Sequence, residues 1–131
     1  MNNLKNWGIH YISNRTVRPN DAVMFDIDDT LIFTNGKPNT PIINLLHEAK
    51  NMGYKIVIIT ARPGFEQVIR MTIKQLEDNN IRYDYIGFTS ASTKSLMKKQ
   101  LPYHFVLSVG DIPTDLTDSD HFLNISNFYH N

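Results

Sequence analysis

Asp26, Asp28 and Asp29 follow directly on an apolar run, Val23-Met24-Phe25, and apolar residues resume at Leu31-Ile32-Phe33. Carboxylates in such a setting are costly unless a cation or hydrogen bonds compensate them. The clash between an apolar stretch and its acidic end marks a candidate site. Two acids one residue apart could divide the work of phosphoryl transfer. Asp26 would attack a phosphoryl group and form an acyl phosphate. A carboxylate facing a phosphate dianion is repelled, so a divalent cation is expected between them. Magnesium prefers oxygen ligands and keeps several waters. Asp26, the backbone carbonyl of Asp28 and the side chain of Asp111 could supply them. Asp28 would protonate the leaving oxygen and then activate water against the acyl phosphate. Thr60 offers a hydroxyl to a phosphoryl oxygen, and backbone amides after Asp26 and around Ala61 could add more donors. Lys94 would neutralise developing charge and keep Asp26 ionised.

These residues are far apart in sequence, so the chain must bring them together. A short continuous apolar run suits a strand buried on both faces, here about 22–26. Thr34 to Asn39 is rich in turn formers and reads as a loop. A helix follows, with Thr40 as its N-cap, Pro41 at its first position and Gly53 as its stop. Ile42, Leu45, Leu46 and Ala49 lie on one face of it. Lys55–Ile59 is a second buried strand that ends at Thr60. A helix over about 65–77 places Phe65, Val68, Ile69, Thr72, Ile73 and Leu76 on its buried face. Tyr83 to Phe88 is a third strand. Ser92 or Thr93 caps a short helix carrying Lys94, Lys98 and Lys99. Phe105 to Val109 is a fourth strand that stops at Gly110-Asp111. A turn or short helix covers 113–117, a short fifth strand 121–125, and the last residues are a tail. Strands alternate with helices, so the fold class is α/β with a mainly parallel sheet. In such sheets ligands bind beyond the carboxyl ends of the strands, where Asp26, Thr60, Lys94 and Asp111 all fall.

The chain has 131 residues, 13 basic and 13 acidic, with formal net charge zero and no cysteine. One domain with a single core is the simplest reading. The expected division is an N-terminal extension over 1–20, packed on a domain over 21–131. No global basic field draws the protein to nucleic acid or membranes. Disulfides and thiolate chemistry are excluded. The N-terminus lacks the apolar core of a signal peptide, and no segment is long and apolar enough to span a bilayer, so a cytoplasmic location is expected.

Asp26-Ile27-Asp28-Asp29-Thr30, Ile58-Ile59-Thr60, Lys94, and Gly110-Asp111-Ile112-Pro113-Thr114-Asp115 resemble, in order, the four motifs of the haloacid dehalogenase superfamily in its phosphatase branch. The resemblance covers about 22–124. It implies a single Rossmann-like, doubly wound sheet of strand order 3-2-1-4-5, the aspartyl-phosphate mechanism and Mg2+. Within the family an acid at position 28 goes with phosphatase activity. Asp29 and the segment Thr93-Lys94-Ser95 are similar to the class B acid phosphatases. The stretches 31–55 and 62–92 leave no room for a cap domain. Capless relatives act on large substrates or borrow a lid by oligomerising, so a homo-oligomer is one expected state. The phosphatase domain of polynucleotide kinase is one such relative. The expected partner is a phosphorylated substrate, a small molecule or a nucleic acid end.

Blander readings compete at single positions. Arg62 reads as a surface arginine, with substrate contact as the alternative. Asp115 is either an acid that orients the site or a helix cap. Asp29 is structural or an outer partner of the site. Lys98, Lys99, Asp118 and Asp120 read as solvated, Trp7 as a packing anchor and His10 as a surface imidazole. The histidines have no metal-ligand spacing. Two other functions remain open. A receiver-type signalling domain also uses an aspartyl phosphate, but its acid ends the third strand, where this chain has Phe88-Thr89-Ser90. A non-catalytic binding protein on the same fold is the other.

Overall fold

The computed structural model describes residues 1–126; the tail expected at the chain's end lies, from residue 127, outside them. Its core is a five-stranded, all-parallel sheet of order β3-β2-β1-β4-β5. The strands are β1 (Asp21–Phe25), β2 (Lys55–Thr60), β3 (Tyr85–Phe88), β4 (His104–Gly110) and β5 (His121–Asn124). The helices are α1 (Asn2–Ile12), α2 (Thr40–Asn51), α3 (Glu66–Asp78), α4 (Lys94–Gln100) and α5 (Pro113–Leu116), with a 3-10 turn over Ala91–Thr93. The expected fold class and strand order are both present. Among the described residues there is no separate cap.

Strand β1 is central and buried at every position. Its side chains alternate between the two faces of the sheet. Val23 and Phe25 join a large cluster with Leu45, Leu46, Ile58 and Leu107, to which α1 adds Ile12 and α3 adds Leu76. Ala22 and Met24 join a smaller cluster with Val57, Ile59 and Phe105, partly covered by Met97 and Leu101 at and beyond α4. Asp26 continues the even-numbered series, which carries it to the α4 side. That thinner side has room for two lysines of α4.

Several local expectations shift. Asn39 rather than Thr40 is the N-cap of α2. Its side-chain amide donates to the Thr30 carbonyl at 2.8 Å, tying the loop after β1 to the helix start. Gly53 sits at φ +100, the left-handed conformation that a helix stop favours. Phe65 is not on the buried face of α3: it is the N-cap residue and is 71% exposed. The apolar set there is longer than the buried face, because only Thr72 and Leu76 reach full burial. Trp7 is no packing anchor, being 56% exposed. Gly8 and Ile12 are the buried residues of α1. A Cβ at Gly8 would lie 2.6 Å from Leu45 Cδ2, so a larger residue there would force Leu45 to shift where α1 packs on α2. No helix among the described residues is long and apolar enough to cross a membrane.

Candidate functional site

The sheet order reverses at β1, with β2 on one side and β4 on the other. The crevice beyond their carboxyl ends is where open α/β sheets bind ligands. The Asp26 amide donates to the Val109 carbonyl at 3.0 Å, which brings the ends of β1 and β4 together. Asp26 is 5% exposed and Asp115 0%. Lys94, 1% exposed at the first turn of α4, donates to Asp26 Oδ1 at 2.8 Å and to Asp115 Oδ1 at 2.7 Å. Asp115 Oδ2 accepts from the amides of Asp111 at 3.1 Å and Ile112 at 3.2 Å. One side chain therefore shapes the turn after β4 and also anchors Lys94. The bond from the amide of Ile112, the N-cap of α5, fits the helix-cap reading of Asp115. A side chain at Gly110 would overlap that of Asp115, so the turn needs glycine.

Asp26, Asp111 and Asp115 bring carboxylate oxygens within 4.8 Å of one another. Burial pushes the Asp26 carboxyl well above its usual range; the neighbouring Asp115 charge adds to this and Lys94 opposes it. Asp115 is raised as well, by burial against the pull of Lys94. Burial depresses the Lys94 ammonium, but the two carboxylates overcome it and hold the lysine charged. Burial thus favours the neutral form of two of the three acids, and one lysine does not supply the counter-charge that all three would need. An all-oxygen set of this kind suits a hard divalent cation.

Asp28 stands apart from this cluster. Its side chain is 53% exposed and pairs with Arg62, which is 13% exposed. Arg62 Nε donates to Oδ2 at 3.1 Å and Nη2 to Oδ1 at 2.8 Å, a two-pronged contact. Nη1 of the same guanidinium donates to Thr72 Oγ1 at 3.0 Å and to Gln75 Oε1 at 2.9 Å. Arg62 is thus no surface arginine, since four hydrogen bonds fix it between Asp28 and α3. Thr60 is fully buried at the end of β2, and its hydroxyl oxygen accepts from the Arg62 amide at 3.1 Å. Asp29 adopts φ 59 and its carboxylate accepts from the Thr34 amide at 3.0 Å and hydroxyl at 2.9 Å, a loop-shaping role.

Lys98, expected in solvent, is placed elsewhere by the structure. It is 2% exposed, not solvated. Its ammonium donates to Ser108 Oγ at 2.9 Å, to the Asp115 carbonyl at 2.9 Å and to the Thr117 carbonyl. It also lies 5.5 Å from the Phe105 ring centroid. Burial lowers its pKa to about 8 against the pull of Asp118 and Asp115. The available signal was its spacing, four residues after Lys94 and on the same helix face.

The family model for haloacid dehalogenase-like hydrolases matches residues 23–112. A Bacillus subtilis (strain 168) protein named "Putative phosphatase YxeH" is 28% identical over 111 residues, 82% of this chain and 41% of that protein. The chain therefore spans about two fifths of the curated relative's length. Among solved structures, the class C acid phosphatase from Bacillus anthracis aligns with TM-score 0.69 and 17% identity, over 89% of this chain and 65% of the other. A chain in a Pnkp1/Rnl/Hen1 complex aligns with TM-score 0.62 and 24% identity, over 77% of this chain and 42% of the other. At these identities the solved structures show a shared fold. With the family model covering both the acidic end of β1 and Asp111, the chain belongs to the haloacid dehalogenase-like hydrolases.

Proposed function

We propose that the protein is a magnesium-dependent phosphomonoesterase that works through an aspartyl phosphate on Asp26. The observation that carries this is the buried cluster in which Lys94 spans Asp26 and Asp115 beside Asp111. Asp26 and Asp111, with the carbonyl of Asp28, would hold Mg2+, and Asp115 would orient the site through Lys94 and the turn amides. Bound there, the cation would screen the phosphoryl charge from the carboxylates.

The chain's own groups supply the remaining chemistry. An Asp26 carboxylate oxygen attacks phosphorus, and the bond from phosphorus to the leaving oxygen breaks. Asp28 delivers a proton to that oxygen. As a carboxylate, Asp28 then takes a proton from water, the water oxygen attacks phosphorus, and the bond to Asp26 breaks. Lys94 pulls Asp26 towards its ionised form, against burial, and balances charge that builds on the phosphoryl oxygens. Thr60 donates its hydroxyl to one of those oxygens. Arg62 holds both carboxylate oxygens of Asp28 at the rim, outside the metal cluster.

The receiver-type alternative fits poorly. Doubly wound sheets of order 2-1-3-4-5 place β3 at the centre, whereas here β1 is central and carries the acids. The test is phosphate release from an aryl phosphate with Mg2+. Release is expected, and it should vanish with EDTA and in Asp26→Asn. Turnover that persists in Asp26→Asn would remove Asp26 as the nucleophile.

A further inference from the structure

A groove of about 620 Å³ runs from Asp28 and Arg62 along α3. We infer that this groove receives the leaving group of the substrate, and that this leaving group is a nucleoside. The inference rests on the proposed role of Asp28, since the group that protonates the leaving oxygen forms one end of the groove. The volume lies within the range of small-molecule sites. A single hexose or a small alcohol would fill little of it.

The walls select further. Pro63, Val68 and Met71 form an apolar side, and Met71 is left 60% exposed there. A thioether is a favourable neighbour for an aromatic ring. Gln75 and Asn79 supply side-chain amides from the same helix. Gln75 accepts from Arg62 through Oε1, and Asn79 donates through Nδ2 to the Gln75 carbonyl. The amide NH2 of Gln75 and Oδ1 of Asn79 then suit the donors and acceptors on the edge of a base. A plain aryl alcohol would use the apolar wall and not these amides.

Charge argues against a polynucleotide or a second phosphate. Each cation of the groove already has a partner: Arg62 pairs with Asp28 at 2.8 Å and Lys74 with Asp78 at 3.1 Å. Polynucleotide binding rests on several cations left to neutralise phosphates, and the groove has no surplus. A neutral, ring-bearing alcohol fits: a nucleoside monophosphate as substrate, with one phosphate at Asp26 and the base on α3.

The experiment compares kcat/KM of the full chain with Mg2+ on AMP, UMP, phenyl phosphate, a hexose 6-phosphate, a 3′-phosphorylated oligonucleotide and acetyl phosphate. The nucleoside monophosphates should exceed every other ester by about tenfold or more, in the range one pocket can discriminate. Met71→Glu should lower the ratio of AMP to acetyl phosphate kcat/KM by a similar factor. Gln75→Ala should narrow the gap between AMP and phenyl phosphate. Leu96→Glu, exposed on α4 and outside the groove, should leave these ratios in place. A preference for the hexose phosphate or the oligonucleotide would overturn the inference. So would a nucleotide preference that survives Met71→Glu, or phenyl phosphate matching AMP. If acetyl phosphate and every ester are inert, the phosphatase reading itself falls; if acetyl phosphate turns over without a nucleotide preference, only the groove assignment falls.

Discussion

Two aspartates separated by one residue end in different surroundings. Asp26 is buried beside Lys94, while Asp28 is half in solvent and held by Arg62. On the proposed mechanism that difference matters: Lys94 favours the ionised form of the nucleophile against burial, while the acid is left in reach of water. On that mechanism Asp28→Asn removes proton delivery, which matters most where the leaving oxygen is strongly basic. Its turnover of alkyl phosphates should fall by about 100-fold or more, and formation of the phosphoenzyme from p-nitrophenyl phosphate should fall less. Rapid-quench measurement of phosphoenzyme from both substrates checks this. Equal losses on the two would remove Asp28 as the acid. The acidic motif was readable from residue types alone. The partner of Asp28 was not, because Arg62 sits 34 positions later and only the pairing of β1 with β2 brings them together.

Helix α4 is short, yet it supports the site from two successive turns. Lys94 grips the side chain of Asp115, and Lys98 grips its carbonyl together with that of Thr117. The two lysines thus hold α5, and with it the turn that carries Asp111. Lys98→Met keeps the aliphatic bulk but leaves those carbonyls without their donor. A stranded buried acceptor costs about 1–3 kcal/mol; the Asp115 carbonyl is buried and that of Thr117 only partly so, and the loss of stability should be about 1–4 kcal/mol. Urea denaturation measures it, and a Mn2+ titration of the folded variant should show weaker binding than wild type. An unchanged unfolding midpoint would show that the clamp contributes nothing. Lys98 looked solvated in sequence because three lysines in six residues match a polar helix face. The thinness of the second core cluster decides otherwise, by leaving space that a long side chain fills.

At the scale of the whole molecule, the amino ends of the strands carry a separate polar network. Asp21, 1% exposed, accepts from Arg15 at 2.9 Å and from the Arg18 amide at 2.9 Å, and pairs with His104 Nδ1 at 2.8 Å. The other ring nitrogen of His104 faces Asp120 at 2.9 Å. This network ties the segment after α1 to β1 and β4, far from the acidic cluster. Burial pushes the Asp21 carboxyl up, but bonds from Arg18, His104 and Arg15 outweigh it and bring it to about 2. Hydrogen bonds to Asp21 and Asp120 raise His104 above its ordinary value. The signs follow from linkage. The Asp21 contribution is complete above its unfolded pKa of about 3.9 and is lost as pH falls towards 2. The His104 contribution is complete below its unfolded pKa of about 6.5 and is lost as pH rises through the higher folded value. Thermal melts across pH should therefore show stability declining on the alkaline side of about 6.5, and His104→Gln should flatten that limb. An alkaline limb that persists in His104→Gln would assign it to other groups.

By itself the sequence determined the class of fold, the strand order through its motifs, and the acids at the end of β1. The class and the acids depend on local period and on residues close together in the chain, whereas the strand order followed only from the resemblance of the motifs to a known family. The tertiary structure alone decided what each charged group faces. It put Asp26 on the α4 side of the sheet, buried Lys98, locked Arg62 to Asp28 and left Trp7 and Phe65 in solvent. Each outcome depends on which helix covers which face and how thickly, a property of the packed sheet that no single window of sequence contains. The same packing opened the groove along α3 beside Asp28.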